Sequence, residues 1–136
     1  MVWNGDTWTD ASLKKFLLSH TEAGASISLL CAHVSDPRRF GRVIINEAGR
    51  ITRFEEKAAG SPEAGWVSAG VYLLERPLLA SLSPAGYSSL EHDVFEALPP
   101  GSLHGYQSEA SFLDIGTPDS LREAEILLAA ATGRTA

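Results

Sequence analysis

The sequence has one cysteine, three lysines and no long apolar run, and each shortage excludes a class of protein. Cys31 cannot form an intrachain disulfide or a thiolate metal cluster by itself, and its place in the apolar run 27–32 favours core packing over a nucleophilic role. No apolar run approaches the ~20 residues of a membrane-spanning helix, and no basic-then-apolar signal segment opens the chain. We therefore expect a cytoplasmic protein without a membrane partner.

Positive charge is also scarce. The 136 residues include 11 Lys and Arg against 17 Asp and Glu, which gives a net charge of -6. Nucleic-acid binding requires a basic face, so we expect no nucleic-acid partner. A phosphorylated small ligand is still compatible with this charge, because a bound metal ion can supply positive charge locally. The length and the hydrophobic content of 44% fit one globular domain, or most of one.

The predicted elements follow the order of an α/β protein with a hairpin near its middle. An amphipathic pattern predicts a helix from an Asp10 cap to about Ala23, with a β-rich run on either side. Such a strand–helix–strand unit predicts parallel strands. Two further β-rich runs, 42–46 and 50–56, are joined by a short glycine-containing turn and predict the hairpin. We therefore expect an α/β domain with three layers and a mixed, mainly parallel sheet.

Two aspartates occupy similar settings near the two ends of the chain. Asp6 and Asp114 each follow an apolar, strand-like run and precede a threonine-containing turn. Open α/β sheets bind ligands where the carboxyl ends of parallel strands meet. Each aspartate alone is most simply explained as a turn residue. Their shared context instead predicts that both bind one magnesium ion (Mg²⁺), which takes hard oxygen ligands and fills its other positions with water and phosphate.

A second candidate site is the acidic and basic run Glu55-Glu56-Lys57. Charged runs are most often solvated, and a solvated strand end remains an alternative here. Lys57 is nevertheless the only lysine outside the first helix, and it precedes a loop of small residues. Glu56 can accept hydrogen bonds from sugar hydroxyls, and Lys57 can neutralise a phosphate as a point charge.

A third candidate is the segment Ser68-Ala69-Gly70, because a glycine inside a strand marks the close approach of a ligand or of another backbone. We expect Gly70 to let the backbone contact a sugar ring.

An alternative is a hydrolase site formed by serine, histidine and aspartate side chains that lie close together in the sequence. These are Ser88, Ser89, His92 and Asp93. No nucleophile-elbow G-x-S-x-G motif supports that alternative.

In this order and spacing, four segments resemble motifs of the sugar-1-phosphate nucleotidyltransferase family. Asn4-Gly5-Asp6 resembles the family's metal-binding strand end, and Phe54-Glu55-Glu56-Lys57 resembles its F-x-E-K sugar-phosphate segment. Ser68-Ala69-Gly70-Val71-Tyr72 resembles its N-A-G-I-Y strand, with Ser68 in the place of Asn. Phe112-Leu113-Asp114-Ile115-Gly116-Thr117-Pro118 resembles its W/F-x-D-I-G-T-P segment. The run Arg39-Phe40-Gly41-Arg42-Val43 also resembles the family's Y/F-G-x-V segment. Within the family, the chain looks most like the mannose- or heptose-1-phosphate guanylyltransferases.

The resemblance implies the fold of the nucleotide-diphospho-sugar transferases. It implies a reaction in which a sugar 1-phosphate attacks the α-phosphorus of a nucleoside triphosphate, with GTP favoured, and pyrophosphate leaves. Mg²⁺ is the implied cofactor, and Asp6 and Asp114 are its implied ligands. The implied catalytic residues are Asp6, Lys57 and Asp114, and the implied substrate-binding residues are Asn4, Gly5, Glu56, Lys57, Ser68, Ala69 and Gly70.

The sequence departs from the family at its front. The Gly-rich G-G-x-G-T-R-L/M segment that cradles the triphosphate has no match, so we expect residues 1–136 to be the C-terminal, sugar-phosphate- and metal-binding part of a single domain. The alternatives are a non-catalytic sugar-phosphate-binding or regulatory module, and an inactive fragment. Loss of the leading strands would expose a sheet edge. We therefore expect the isolated chain to be marginally stable or to self-associate as a homo-oligomer.

Overall fold

The computed structural model describes residues 1–55, 63–81, 90–95 and 98–132. The described chain contains both strands and helices, with further helical segments at Pro37–Arg39 and Leu90–Phe95. The strands are β1 (Val2–Trp3), β2 (Thr7–Thr9), β3 (Ile27–Val34), β4 (Arg42–Ile45), β5 (Arg50–Glu55), β6 (Gly65–Leu74), β7 (Leu103–Ser108) and β8 (Phe112–Asp114). The α-helices are α1 (Leu13–Glu22), α2 (Arg76–Ser81) and α3 (Pro118–Thr132).

Six strands form one sheet in the order β1-β6-β3-β7-β5-β4, and β2 and β8 form a separate two-stranded ribbon. The predicted hairpin is the antiparallel pair β4–β5. The α/β class with a mixed sheet is confirmed, but the sheet is mostly antiparallel rather than mainly parallel. Only β3 and β7 pair in parallel among the described strands. The reason is that β6 lies antiparallel between β1 and β3. In addition, β2, the strand directly before α1, belongs to the separate ribbon, so no parallel pair forms across α1.

Side-chain alternation along β3 divides the core between the two faces of the sheet. On one face, Leu30 and Ala32 pack in a cluster with Phe16 of α1. On the other face, Leu29 and Cys31 pack in a cluster with Phe95 of the segment Leu90–Phe95. The sheet therefore has a helical layer on each face, as the three-layer prediction requires. Cys31 is fully buried, which confirms its packing role.

The first helix differs from the prediction in its cap and in one face residue. Ser12, not Asp10, is the N-cap, and its hydroxyl accepts a hydrogen bond from the Lys15 N–H. The Asp10 carboxylate instead accepts from the Ser111 N–H at 2.7 Å and so ties the segment after β2 to the segment before β8. The spacing of Leu13, Phe16, Leu17 and His20 in the sequence predicts one buried stripe. Leu17 is exposed instead, because the helix faces the sheet through Phe16.

The pair Thr117-Pro118, a threonine cap followed by a proline in the first turn, predicts the start of the last helix, and α3 begins there, at Pro118. The side chains of Thr117 and Ser120 each accept a hydrogen bond from the other residue's backbone N–H, which is a capping-box arrangement. The spacing of Leu121, Ala124, Leu128 and Ala131 in the sequence predicts a buried stripe on this helix. Ala124 is buried as predicted, whereas Leu121 is exposed. No described helix has both the length and the apolar character needed to span a bilayer.

Candidate active site

The ribbon of β2 and β8 brings Asp6 and Asp114 together. Thr7 lies opposite Asp114 in this antiparallel pair, and the Ile115 N–H donates to the Asp6 carbonyl at 2.8 Å. A Cβ atom built on Gly116 would lie 3.0 Å from Asp114 Oδ1 and 3.3 Å from Asp6 Oδ2. Both carboxylates therefore border one small space that exists because residue 116 has no side chain. The two acids meet through this separate ribbon, and not at the shared edge of parallel strands from which the sequence predicted their meeting.

The two oxygens of Asp114 have different neighbours. Oδ1 accepts a hydrogen bond from the Gly116 N–H at 2.9 Å, which fixes the orientation of the carboxylate. Oδ2 lies 3.9 Å from Nη2 of Arg39, which is within range of charge attraction. Asp6 is exposed. No cluster of three or more His, Cys, Asp or Glu side chains suitable for a metal occurs in the described ranges. This chain therefore offers a pair of carboxylates with open positions beside it, a donor set that suits Mg²⁺.

Gly70 holds the turn that carries Asp6. It adopts a φ of +67°, where the β3–β6 register shifts, and its carbonyl accepts from the Asn4 N–H at 2.8 Å. A Cβ on Gly70 would lie 2.8 Å from Asn4 Nδ2 and 2.9 Å from Thr7 Oγ1. Glycine is required here by both the backbone conformation and the close contact. The neighbour that approaches this glycine is the N-terminal turn of the chain itself.

A cavity of about 130 Å³ lies in front of the paired carboxylates. Its described lining residues are Asn4, Asp6, Thr7, Arg39, Phe40, Ser68, Gly70, Phe112 and Asp114. A second cavity of about 290 Å³ shares Arg39, Phe40, Phe112 and Asp114 with the first.

Five of the residues singled out from the sequence thus line one space. They are Asn4, Asp6, Ser68, Gly70 and Asp114. Two others do not: the side chain of Ala69 is buried in the core cluster beneath α1, and Gly5 is not among the lining residues. Glu56 and Lys57 lie outside the described residues, as do Ser88, Ser89 and the side chains of His92 and Asp93.

Sequence reasoning missed Arg39 as a site residue, together with the aromatic pair behind it. The turn Pro37–Arg39 starts at Asp36, whose carboxylate accepts from the backbone and the side chain of Arg38. These contacts, the side-chain hydrogen bond foremost, lower the pKa of Asp36 to about 2. The turn places the next residue, Arg39, over the ring of Phe40 at 5.5 Å. The run from Arg39 had matched a family segment, but that match gave the arginine no role.

Comparison with known proteins gives concordant matches. The family model described as "Nucleotidyl transferase" matches residues 1–130. Over 122 residues the chain is 34% identical to a mannose-1-phosphate guanylyltransferase of Mycobacterium tuberculosis, which covers 88% of this chain and 34% of that protein. Over 126 residues it is 30% identical to the D-glycero-alpha-D-manno-heptose 1-phosphate guanylyltransferase of Aneurinibacillus thermoaerophilus, which covers 92% of this chain and 54% of that protein.

A solved structure matches in fold as well. HddC from Yersinia pseudotuberculosis, crystallised in complex with GMP-PN, aligns with a TM-score of 0.75 and 25% sequence identity. The alignment covers 90% of this chain and 52% of HddC. The chain therefore spans only about a third to a half of the length of these relatives.

Proposed function

The chain belongs to the nucleotidyl transferase family, and we propose that it carries the sugar-phosphate- and metal-binding part of a sugar-1-phosphate nucleotidyltransferase. The complete enzyme forms a nucleoside-diphosphate sugar and pyrophosphate from a nucleoside triphosphate and a sugar 1-phosphate. We favour GTP and a mannose- or heptose-type sugar 1-phosphate, because the two relatives compared above are guanylyltransferases named for such sugars. The observation that carries the proposal is the meeting of Asp6 and Asp114 beside Gly116.

In this proposal Asp6 and Asp114 hold Mg²⁺. The ion, when bound, supplies the positive charge that stabilises the α-phosphate as negative charge develops on it. The Gly116 N–H keeps Asp114 in the orientation that faces Asp6. Because transfer of a nucleotidyl group needs no covalent enzyme intermediate, the chain's contribution is alignment and charge neutralisation.

The polar side chains that line the cavity provide for the sugar. Asn4 and Ser68 lie at the cavity beside Asp6, and both can donate and accept hydrogen bonds with hydroxyl groups. Glu56 and Lys57 are proposed, on the sequence alone, to bind sugar hydroxyls and the sugar phosphate. The triphosphate cradle is proposed to come from a segment that corresponds to the rest of the relatives' length. A cytoplasmic location and self-association remain predictions.

The proposal is tested by binding first and by turnover second. Isothermal titration calorimetry should detect mannose 1-phosphate or heptose 1-phosphate binding to the 136-residue chain with Mg²⁺ present, and Asp114→Ala should abolish this binding. The chain joined to the N-terminal half of a related guanylyltransferase should then release pyrophosphate from GTP and the bound sugar 1-phosphate. Absence of sugar 1-phosphate binding by the unaltered chain would contradict the proposal. Binding without turnover in the joined protein would favour the alternative of a non-catalytic sugar-phosphate-binding module.

A further inference from the structure

Arg39 lies on the wall that the two cavities share, beside one of the paired carboxylates. Its Nη2 is 3.9 Å from Asp114 Oδ2, where the charges attract but no hydrogen bond forms. Its guanidinium carbon lies 5.5 Å from the centre of the Phe40 ring, and Phe40 packs edge-on against Phe112 at 5.4 Å. The side chain is 59% exposed, yet its head group rests on a packed aromatic pair. This contact favours one direction for the guanidinium.

The guanidinium of Arg39 has donors that no described residue uses. Its two neighbouring arginines differ in this respect. Arg38 donates three hydrogen bonds to the carboxylate of Asp36, and Arg42 donates to the carbonyl of Ala64. Within 1–55, 63–81, 90–95 and 98–132, the Arg39 head group has an ion-pair neighbour and a ring beneath it, but no hydrogen-bond acceptor. Unlike Arg38 and Arg42, Arg39 therefore has hydrogen-bond donors available for a ligand.

The charged residues around the two cavities indicate what kind of group would bind to Arg39. Their described lining includes four acids and a single cation, Arg39. The acids are Asp6, Asp36, Asp114 and Glu123. An anion that enters this acidic surrounding needs cationic partners. Two are possible: a divalent cation held by the carboxylate pair, and Arg39. Both partners are adjacent to Asp114, so a single phosphate group can reach both.

We propose that Arg39 is a substrate-binding residue that holds the phosphate group of the sugar 1-phosphate. The assignment rests on the function proposed above. In the chain without a cation, the guanidinium neighbours Asp114. A divalent cation at the carboxylate pair would repel the guanidinium, which would disfavour its contact with Asp114 and leave it available to a phosphate. A planar guanidinium binds phosphate through two parallel hydrogen bonds, a geometry that lysine cannot reproduce.

The test compares substitutions at two exposed arginines. Mannose 1-phosphate binding to the 136-residue chain is measured by calorimetry at saturating Mn²⁺ for Arg39→Gln, Arg39→Lys and the control Arg122→Gln. Arg122 lies on α3 and is not among the described lining residues of either cavity. We expect Arg39→Gln to weaken binding about 10-fold or more, because a hydrogen bond to a charged group contributes more free energy than one between neutral groups. Arg39→Lys should recover part of the loss, and Arg122→Gln should have no effect. Mn²⁺ binding, followed separately by electron paramagnetic resonance, should be as tight or tighter in Arg39→Gln.

Each outcome decides the assignment. If the unaltered chain binds mannose 1-phosphate and Arg39→Gln binds it as tightly as Arg122→Gln does, the assignment of Arg39 is wrong and the proposed function stands. If Arg39→Gln loses Mn²⁺ binding, the arginine supports the metal site and does not bind phosphate. If the unaltered chain binds no mannose 1-phosphate, the same variants are measured with heptose 1-phosphate. Absence of binding to both sugar 1-phosphates contradicts the proposed function, and the assignment fails with it. Thermal melting of each variant verifies that it is folded.

Discussion

Asp6 Oδ2 and Asp114 Oδ1 face the same point beside Gly116, at 3.3 Å and 3.0 Å from where its Cβ would stand. The two residues are distant in the sequence, and the β2–β8 ribbon that joins them has only three residue pairs. Like charges at neighbouring positions repel each other. A divalent cation at this point, as proposed above, would offset that repulsion.

Replacement of either aspartate should weaken cation binding. Asp6→Asn or Asp114→Asn removes one of the two anionic donors, and we expect Mn²⁺ affinity to fall at least about 10-fold, because even indirect disturbance of a metal ligand has effects of this size. Asp119→Asn is the matched control, since that carboxylate is 90% exposed on the adjacent helix. Mn²⁺ titration followed by electron paramagnetic resonance measures the effect. Equal affinities in all three variants would place the ion elsewhere.

The small space beside Gly116 gives a second prediction about the same site. Gly116→Ala would place a methyl group against both carboxylate oxygens and force them apart. We expect Mn²⁺ affinity to decrease about 10-fold, in line with the sensitivity of metal sites to ligand orientation. The melting temperature should change little, because residue 116 is exposed. Unchanged Mn²⁺ affinity in a folded Gly116→Ala variant would show that the ion does not occupy this space.

The sequence predicted local structure well, and what it missed depends on tertiary contacts. The hairpin and the start of α3 follow from short local patterns. The meeting of Asp6 and Asp114 is not local, and it followed from the similar settings of the two residues and from motif order. The parallel pairing predicted from the β-rich runs on either side of α1 was wrong, because local sequence cannot show that β6 lies between β1 and β3. Arg39 was missed for a related reason. The role proposed for it depends on its contact with Asp114, which is distant in the sequence, as well as on its contact with the neighbouring Phe40.

Gly70 offers a stability prediction that separates two effects. Gly70→Ala combines a left-handed backbone position, which costs an L-residue about 1–2 kcal/mol, with a collision against Asn4 and Thr7 that adds about 1–3 kcal/mol. Gly24→Ala is the control, because its φ is +56° and a Cβ there meets nothing within 4 Å. Urea unfolding should show the larger loss at Gly70. Equal losses would mean that the N-terminal turn moves aside without cost.

His104 predicts how stability depends on pH. Its side chain is buried, with Nε2 2.8 Å from Ser19 Oγ, and its Nδ1 has no hydrogen-bond partner in the described part of the chain. Burial, and secondarily the nearby charge of Arg50, lowers the pKa of His104 in the folded state. The unfolded chain therefore takes up the proton first as the pH falls. The free energy of unfolding should be unaffected by this group above about pH 7 and should decrease as the pH falls through the ordinary histidine range near 6.5.

The substitution His104→Gln tests this dependence, because glutamine retains polar atoms but does not titrate. The variant will be less stable overall if it loses the contact with Ser19, so the informative quantity is the slope of the unfolding free energy against pH and not its value. We expect the slope between pH 5 and pH 7 to be smaller in His104→Gln than in the unaltered chain. Identical slopes in the unaltered chain and in His104→Gln would mean that His104 binds a proton equally well in the folded and the unfolded chain. That result would contradict the prediction that burial lowers its pKa.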